Sequence, residues 1–310
     1  MPKHLTTTRI SLAAGTGLLA LAASALPALA TPGDLYVSNF KSNTIERFTP
    51  GGAASVFAST GLSSPQGLAF DAGGNLYVSN TAGNTIERFT PSGAASVFAS
   101  TGLNNSVALA FDASGNLYAA NFNISTIERF TPGGAASVFA STGLSGPAGL
   151  AFDIGGNLYA ANRANSTIER FTPGGAASVF ASTGLSNPQG LAFDASGNLY
   201  AANTGTNTIE RFTPGGAASV FASTGVSSPS GLAFDASGNL YAADFNINTI
   251  ERFTPDGAAS VFASTGLSGP AGLAFEPAIA PPPSAVPEPA SAALLALGLG
   301  GLAAFRRRTA

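Results

Sequence analysis

The segment Thr-Ile-Glu-Arg-Phe-Thr-Pro starts at Thr44 and returns unchanged at Thr85, Thr126, Thr167, Thr208 and Thr249, always 41 residues apart and without one insertion. Six copies of one unit therefore fill Gly33 to Ala278. A fixed period near 40 residues means that one small structural unit is stacked or ringed, each copy covering its neighbour's apolar face. Within the second copy, four short runs alternate with turn residues. Gly67–Phe70 and Asn75–Asn80 are split by Asp71-Ala72-Gly73-Gly74, and Thr85–Thr90 and Ser96–Ser100 by Pro91-Ser92-Gly93. Runs of this length, rich in Val, Ile, Tyr, Phe and Thr and bounded by Gly, Pro, Asn and Asp, are strands.

Four antiparallel strands per unit make one blade, so the sequence predicts an all-β, six-bladed β-propeller of 41-residue four-stranded repeats. The ends of the repeat region are offset. It opens on a second strand at Asp34-Leu35-Tyr36-Val37 and finishes on a first strand at Gly272-Leu273-Ala274-Phe275. The C-terminal strand is thus expected to join the first blade and close the ring, which removes the open end that a solenoid would have to cap.

The interior is also readable. All six Tyr hold one position of the unit, and Phe48, Phe57 and Phe70 begin three further series of six, enough to make both faces of each blade apolar. Glu46 and Arg47 are adjacent and repeated six times, so they point to opposite faces of their strand. That predicts a belt of ion pairs between the Arg of one blade and the Glu of the next.

Residues 1–30 read as a signal peptide, with Lys3 and Arg9, an apolar stretch, and Ala28-Leu29-Ala30 as the small-residue cleavage pattern. The propeller is assigned to 31–278 and a Pro-rich linker to 279–285. Residues 286–310 hold Val286-Pro287-Glu288-Pro289, an apolar stretch to Phe305, and Arg306-Arg307-Arg308. That tail closely resembles the PEP-CTERM sorting signal of exported bacterial proteins. The resemblance implies transient membrane insertion through the C-terminal helix and processing by a protease of the exosortase type. It also implies a bacterium with an outer membrane, a cell-surface or extracellular location, and a tie to extracellular polysaccharide. A plain C-terminal anchor is the other reading.

Of 13 basic residues five lie in the two ends, leaving 8; of 16 acidic residues only Glu288 does, leaving 15. The mature domain is therefore near −7, against nucleic acid as a partner, since that needs Lys and Arg for phosphates. Cysteine and tryptophan are absent, and the single histidine is His4, in the signal. The common metal ligands and most nucleophile–base pairs go with them.

The Gly-Leu-Ala-Phe-Asp, Gly-Asn-Leu-Tyr and Thr-Ile-Glu-Arg-Phe segments make the unit resemble NHL-type repeats, whose six-bladed propellers include the gluconolactonase family. In that family a divalent cation near the axis is held by carboxylates and Asn from several blades. The ring Asn39, Asn80, Asn121, Asn162, Asn203 and Asp244 is similar, with five of six places neutral. It is open to two readings: a Ca2+ site, which wants carboxylates among six to eight oxygens, or Asn side chains that cap their own loops. Otherwise no cofactor is indicated.

Copy-to-copy differences concentrate in two connections, after the second strand and after the fourth, which antiparallel order places on one face. There Phe40, Lys41, Phe122, Arg163, Asp244 and Phe245 break the six-fold pattern. They are the candidate binding residues, for an extracellular polysaccharide or a surface protein, with neutral drift as the alternative. The favoured function is an exported, non-enzymatic propeller acting as a cell-surface or matrix binding or structural protein. The alternative is a calcium-dependent lactonase-like hydrolase using the Asn/Asp ring.

Overall fold

The computed structural model describes residues 33–277; the signal-peptide, linker and tail assignments lie outside the described residues. Twenty-four strands form six sheets of four, each a blade. The first blade is β1 (Leu35–Asn39), β2 (Thr44–Phe48) and β3 (Ala54–Ala58), completed on its inner side by β24 (Pro270–Phe275), in the order β24-β1-β2-β3. The expected closure is therefore what forms. Leu35 pairs with Phe275 and Val37 with Leu273, and the seal continues as Gly33 N–H donates to the Glu276 carbonyl at 3.2 Å.

Blades pack face to face because side chains alternate along each strand. Tyr36, Ile45 and Ala58 of the first blade meet Leu68, Leu76, Val78 and Phe89 of the second, all buried. Tyr36 stands edge-on between Phe57 at 4.9 Å and Phe70 at 5.0 Å, and every other Tyr repeats the arrangement. Each such pair is worth about 0.5–1.5 kcal/mol beyond burial. The aromatic series is core. At the rim the outermost strands leave Val56 and its equivalents about 60% exposed.

The belt of Glu–Arg pairs does not form. Among the described residues the one ion pair recorded is Arg47 Nε to Asp34 Oδ2, 3.7 Å apart and within one blade. Register explains why: Arg47 lies opposite Tyr36 and Glu46 opposite Val37. Each Arg is drawn to its own blade's Tyr hydroxyl, as Arg88 to Tyr77 and Arg129 to Tyr118. Each Glu leans the other way, against the preceding blade's connector. A Cβ built on Gly102 would sit 3.1 Å from Glu128. The carboxyls of Glu46 and its five equivalents are nearly buried, and that burial pushes them above the ordinary range.

Around the axis the inner strands approach backbone to backbone. A Cβ on Gly149 would fall on the Gln189 carbonyl, and one on Gly272 on the Gln66 carbonyl. One blade differs, carrying Ala108 at this place. We expect Gly149→Ala to lower the urea midpoint by an amount equivalent to at least about 1–3 kcal/mol, the usual cost of overpacking. Ala108→Gly should cost about 1 kcal/mol or less. Equal effects would show that the axial spacing is not set by these glycines.

Candidate functional site

The two variable connections do share one face, and the backbone ties them together. Phe40 N–H donates to Gly269 O at 3.0 Å, Phe122 to Asn105 at 3.2 Å, Arg163 to Gly146 at 3.0 Å and Phe245 to Ser228 at 3.4 Å. Each connector passes through a left-handed residue before the inner strand, with φ 50° at Ser64 and 55° at Ser228. Short polar side chains or glycine accept that conformation, and only Ser, Asn and Gly stand there in the six copies.

Below these loops the axis opens into a cavity of about 440 Å³, within the size range of small-molecule sites. Phe122, Arg163 and Phe245 stand at its mouth. Phe40 and Lys41 gather on one side of it: the Phe40 and Phe245 rings are 6.0 Å apart, and Lys41 Nζ lies 4.8 Å over the Phe245 ring. Asp244, the sixth binding candidate, is fully buried beneath the loops and does not line the cavity.

The sequence reading places Gln66 and Gln189 in a variable connection but does not single them out as wall residues. Each inner strand slips register just after its first residue, between Pro65 and Leu68 and between Pro188 and Leu191. Such a bulge re-aims a side chain, here Gln66 and Gln189 toward the axis. The available signal was the place before Gly-Leu-Ala-Phe, where Gln66, Val107, Ala148, Gln189, Ser230 and Ala271 differ in a strand that is otherwise nearly fixed.

The Asn ring holds the ring of blades together. Asn80 Oδ1 accepts the Ser63 N–H at 3.0 Å, and its Nδ2 donates to Gly61 O at 2.9 Å and Thr85 Oγ1 at 3.1 Å. Asn39, Asn121, Asn162 and Asn203 make the same three bonds. The amide grips the connector arriving from the preceding blade as well as its own hairpin, which a loop cap alone would not do. For a Ca2+ ion the fit is poor. Every amide oxygen in the ring already takes a backbone N–H, none of the six residues lines the cavity, and no group of three acidic, His or Cys residues converges among the described residues.

At Asp244 the clamp is made by a carboxyl. Its Oδ1 accepts the Ser227 N–H at 2.8 Å, and Thr249 Oγ1 reaches its Oδ2 at 3.4 Å. An oxygen now stands where five other blades have a donating N–H, and it can donate only when protonated. Burial pushes this carboxyl up to about 7, with Glu251 nearby adding to the shift and the Ser227 and Thr249 donors opposing it. The folded carboxyl then keeps its proton to about pH 7, while the unfolded one loses it near 3.8. The stability it contributes is full below about 3.8 and falls until the pH reaches about 7. We expect Asp244→Asn to raise the melting temperature, by a margin that widens across that window and is constant above it. A pH-independent margin would show that the carboxyl does not titrate there.

A six-bladed propeller with loops and an open axial cavity on one face is the class that fold and site define. The sequence matches the virginiamycin B lyase family over residues 19–252, and the chain belongs to that family. It also matches the PEP-CTERM protein-sorting motif over residues 285–308, which marks an exported, surface-sorted protein of Gram-negative bacteria. No curated protein matches it.

Solved structures share the fold. A chain of a nidogen/laminin complex is 24% identical, with a TM-score of 0.71 over 78% of this chain and 98% of that one. Virginiamycin B lyase from Staphylococcus aureus has been solved as a catalytically inactive histidine-to-alanine variant with quinupristin. It is 19% identical, with a TM-score of 0.61 over 79% and 92% of the two chains. A gluconolactonase from Xanthomonas campestris is also 19% identical, at 0.61 over 77% and 88%.

Proposed function

We propose that the mature chain is a non-catalytic propeller that binds an extracellular polysaccharide or a surface protein through its loop face, after export and sorting through the C-terminal tail. The observation that carries this is the inventory of the axial cavity. Gln66, Gln189 and Arg163 offer hydrogen bonds there, yet its lining has no carboxylate, and residues 33–277 contain no His or Cys. The Staphylococcus aureus lyase is catalytically inactive with one histidine replaced by alanine. A chain without any histidine in its propeller keeps the family's shape without that group. The nidogen/laminin structure shows a propeller of this shape inside a protein complex.

A second reading, a calcium-dependent lactonase-like hydrolase, draws support from Asp244. A carboxyl poised near pH 7 has the proton affinity of a general acid or base. The two readings separate cleanly. The purified protein is incubated with quinupristin and with gluconolactone, with and without Ca2+, and separately with isolated surface polysaccharide. We expect no turnover, no calcium-dependent rise in melting temperature, and retention on the polysaccharide or a surface protein. Turnover abolished by Asp244→Ala would establish the hydrolase instead. For the tail, the mass of the exported protein should lack Arg306, Arg307 and Arg308, as removal by an exosortase-type protease requires; a mass that includes them would mean a retained anchor.

A further inference from the structure

The 41-residue period conceals a second one, three blades long. Phe122-Asn123-Ile124 returns as Phe245-Asn246-Ile247, Gly146-Pro147-Ala148 as Gly269-Pro270-Ala271, and Pro65-Gln66-Gly67 as Pro188-Gln189-Gly190. In a ring of six blades, three blades are half a turn. Each pair therefore faces its twin across the axis. Part of the cavity wall is two-fold in its chemistry, amide opposite amide at Gln66 and Gln189, ring opposite ring at Phe122 and Phe245, whereas Asn105 stands opposite Ser228 and Val107 opposite Ser230. Arg163 breaks this two-fold, because its counterpart half a turn away is Phe40.

The groups also differ in what they are free to do. Lys41 is engaged with the Phe245 ring. The Arg163 guanidinium and the Gln66 and Gln189 amides have no side-chain partner among the described residues. Opposed amides suit hydroxyl groups, because each offers a donor and an acceptor as a hydroxyl does. Opposed aromatic rings suit the flat C–H faces of sugar rings. A free planar guanidinium suits a carboxylate, which it can hold with two parallel bonds. No acidic residue lines the cavity to oppose that charge.

From this arrangement we infer that the axial cavity takes a short acidic saccharide, two sugar rings long with one carboxylate. It lies across the axis with one ring toward each Gln and the carboxylate on Arg163. The inference rests on the proposed reading of the loop face as a binding surface and names its ligand class. About 440 Å³ leaves room for roughly two rings.

Calorimetric titration of the purified protein with glucuronosyl-glucose, cellobiose and free glucuronic acid tests it. The acidic disaccharide should bind at least tenfold more tightly than either comparator. Arg163→Ala should bring it down to the level of cellobiose, and Arg163→Lys should leave an intermediate preference. Gln66→Ala and Gln189→Ala should weaken binding by similar factors, all variants keeping the parent melting temperature. Equal binding of acid and neutral disaccharide, a preference that survives Arg163→Ala, or a loss confined to one Gln overturns the inference. Retention on surface polysaccharide or a surface protein with no disaccharide binding also overturns it, while leaving the broader function standing; binding to nothing overturns both.

Discussion

Backbone pairing between β24 and β1 is the contact on which the rest of the molecule depends. Every other blade is built from one continuous stretch of chain, and only the first is completed by a strand from the far end. Without that pairing, Leu35 and Val37 would lose Leu273, and the apolar faces of the first and last blades would open to water. Closure also fixes the width of the axis. Six inner strands can meet backbone to backbone only if all six are present, and the glycine at five of the six closest approaches follows from that crowding.

The polar groups divide along the ring's two ends. At the loop end, buried amides spend their hydrogen bonds on the connectors between blades. At the other end, Asp71 and its equivalents hold the tight turns: Asp71 Oδ1 accepts the Gly73 and Asn75 N–H groups at 2.9 and 2.8 Å. Arg side chains and Tyr hydroxyls collect beside these turns. The buried repeated amides and the turn aspartates are thereby consumed by architecture. What remains for recognition is what is not repeated, and that lies at one mouth.

Much of this was legible in the sequence because a repeat supplies its own comparison. Strand number, blade order, closure and the placement of variation on one face follow from spacing, and Phe122, Arg163 and Phe245 do gather at the cavity mouth. The partners of charged side chains were not legible. Alternation gives the face of Glu46 and Arg47 but not their reach along the strand, and each Arg lies opposite its own blade's Tyr, as Arg47 does Tyr36. For Asn80, the bond to its own hairpin at Thr85 fits a loop cap, while its bond to Gly61, which enters from another blade, was not legible. Gln66 and Gln189 stand in the variable connection after the fourth strand but were not among the binding candidates, because a bulge, not the simple alternation of a strand, turns them inward.

The near-identity of the inner strands reaches beyond the folded ring. Gly-Leu-Ala-Phe closes the first blade through β24, and the same four residues occupy β4 (Pro65–Phe70) and most other inner strands. During synthesis the vacant inner edge of the first blade is complementary to nearly every one of them, within the same chain or on a neighbouring one. Correct assembly then depends on kinetics: an early inner strand is held by its own hairpin before it can wander, and among the described residues only the last has no hairpin following it. A chain so degenerate is suited to being completed in dilute solution, one copy at a time, because crowded copies can exchange terminal strands and link into chains of swapped rings.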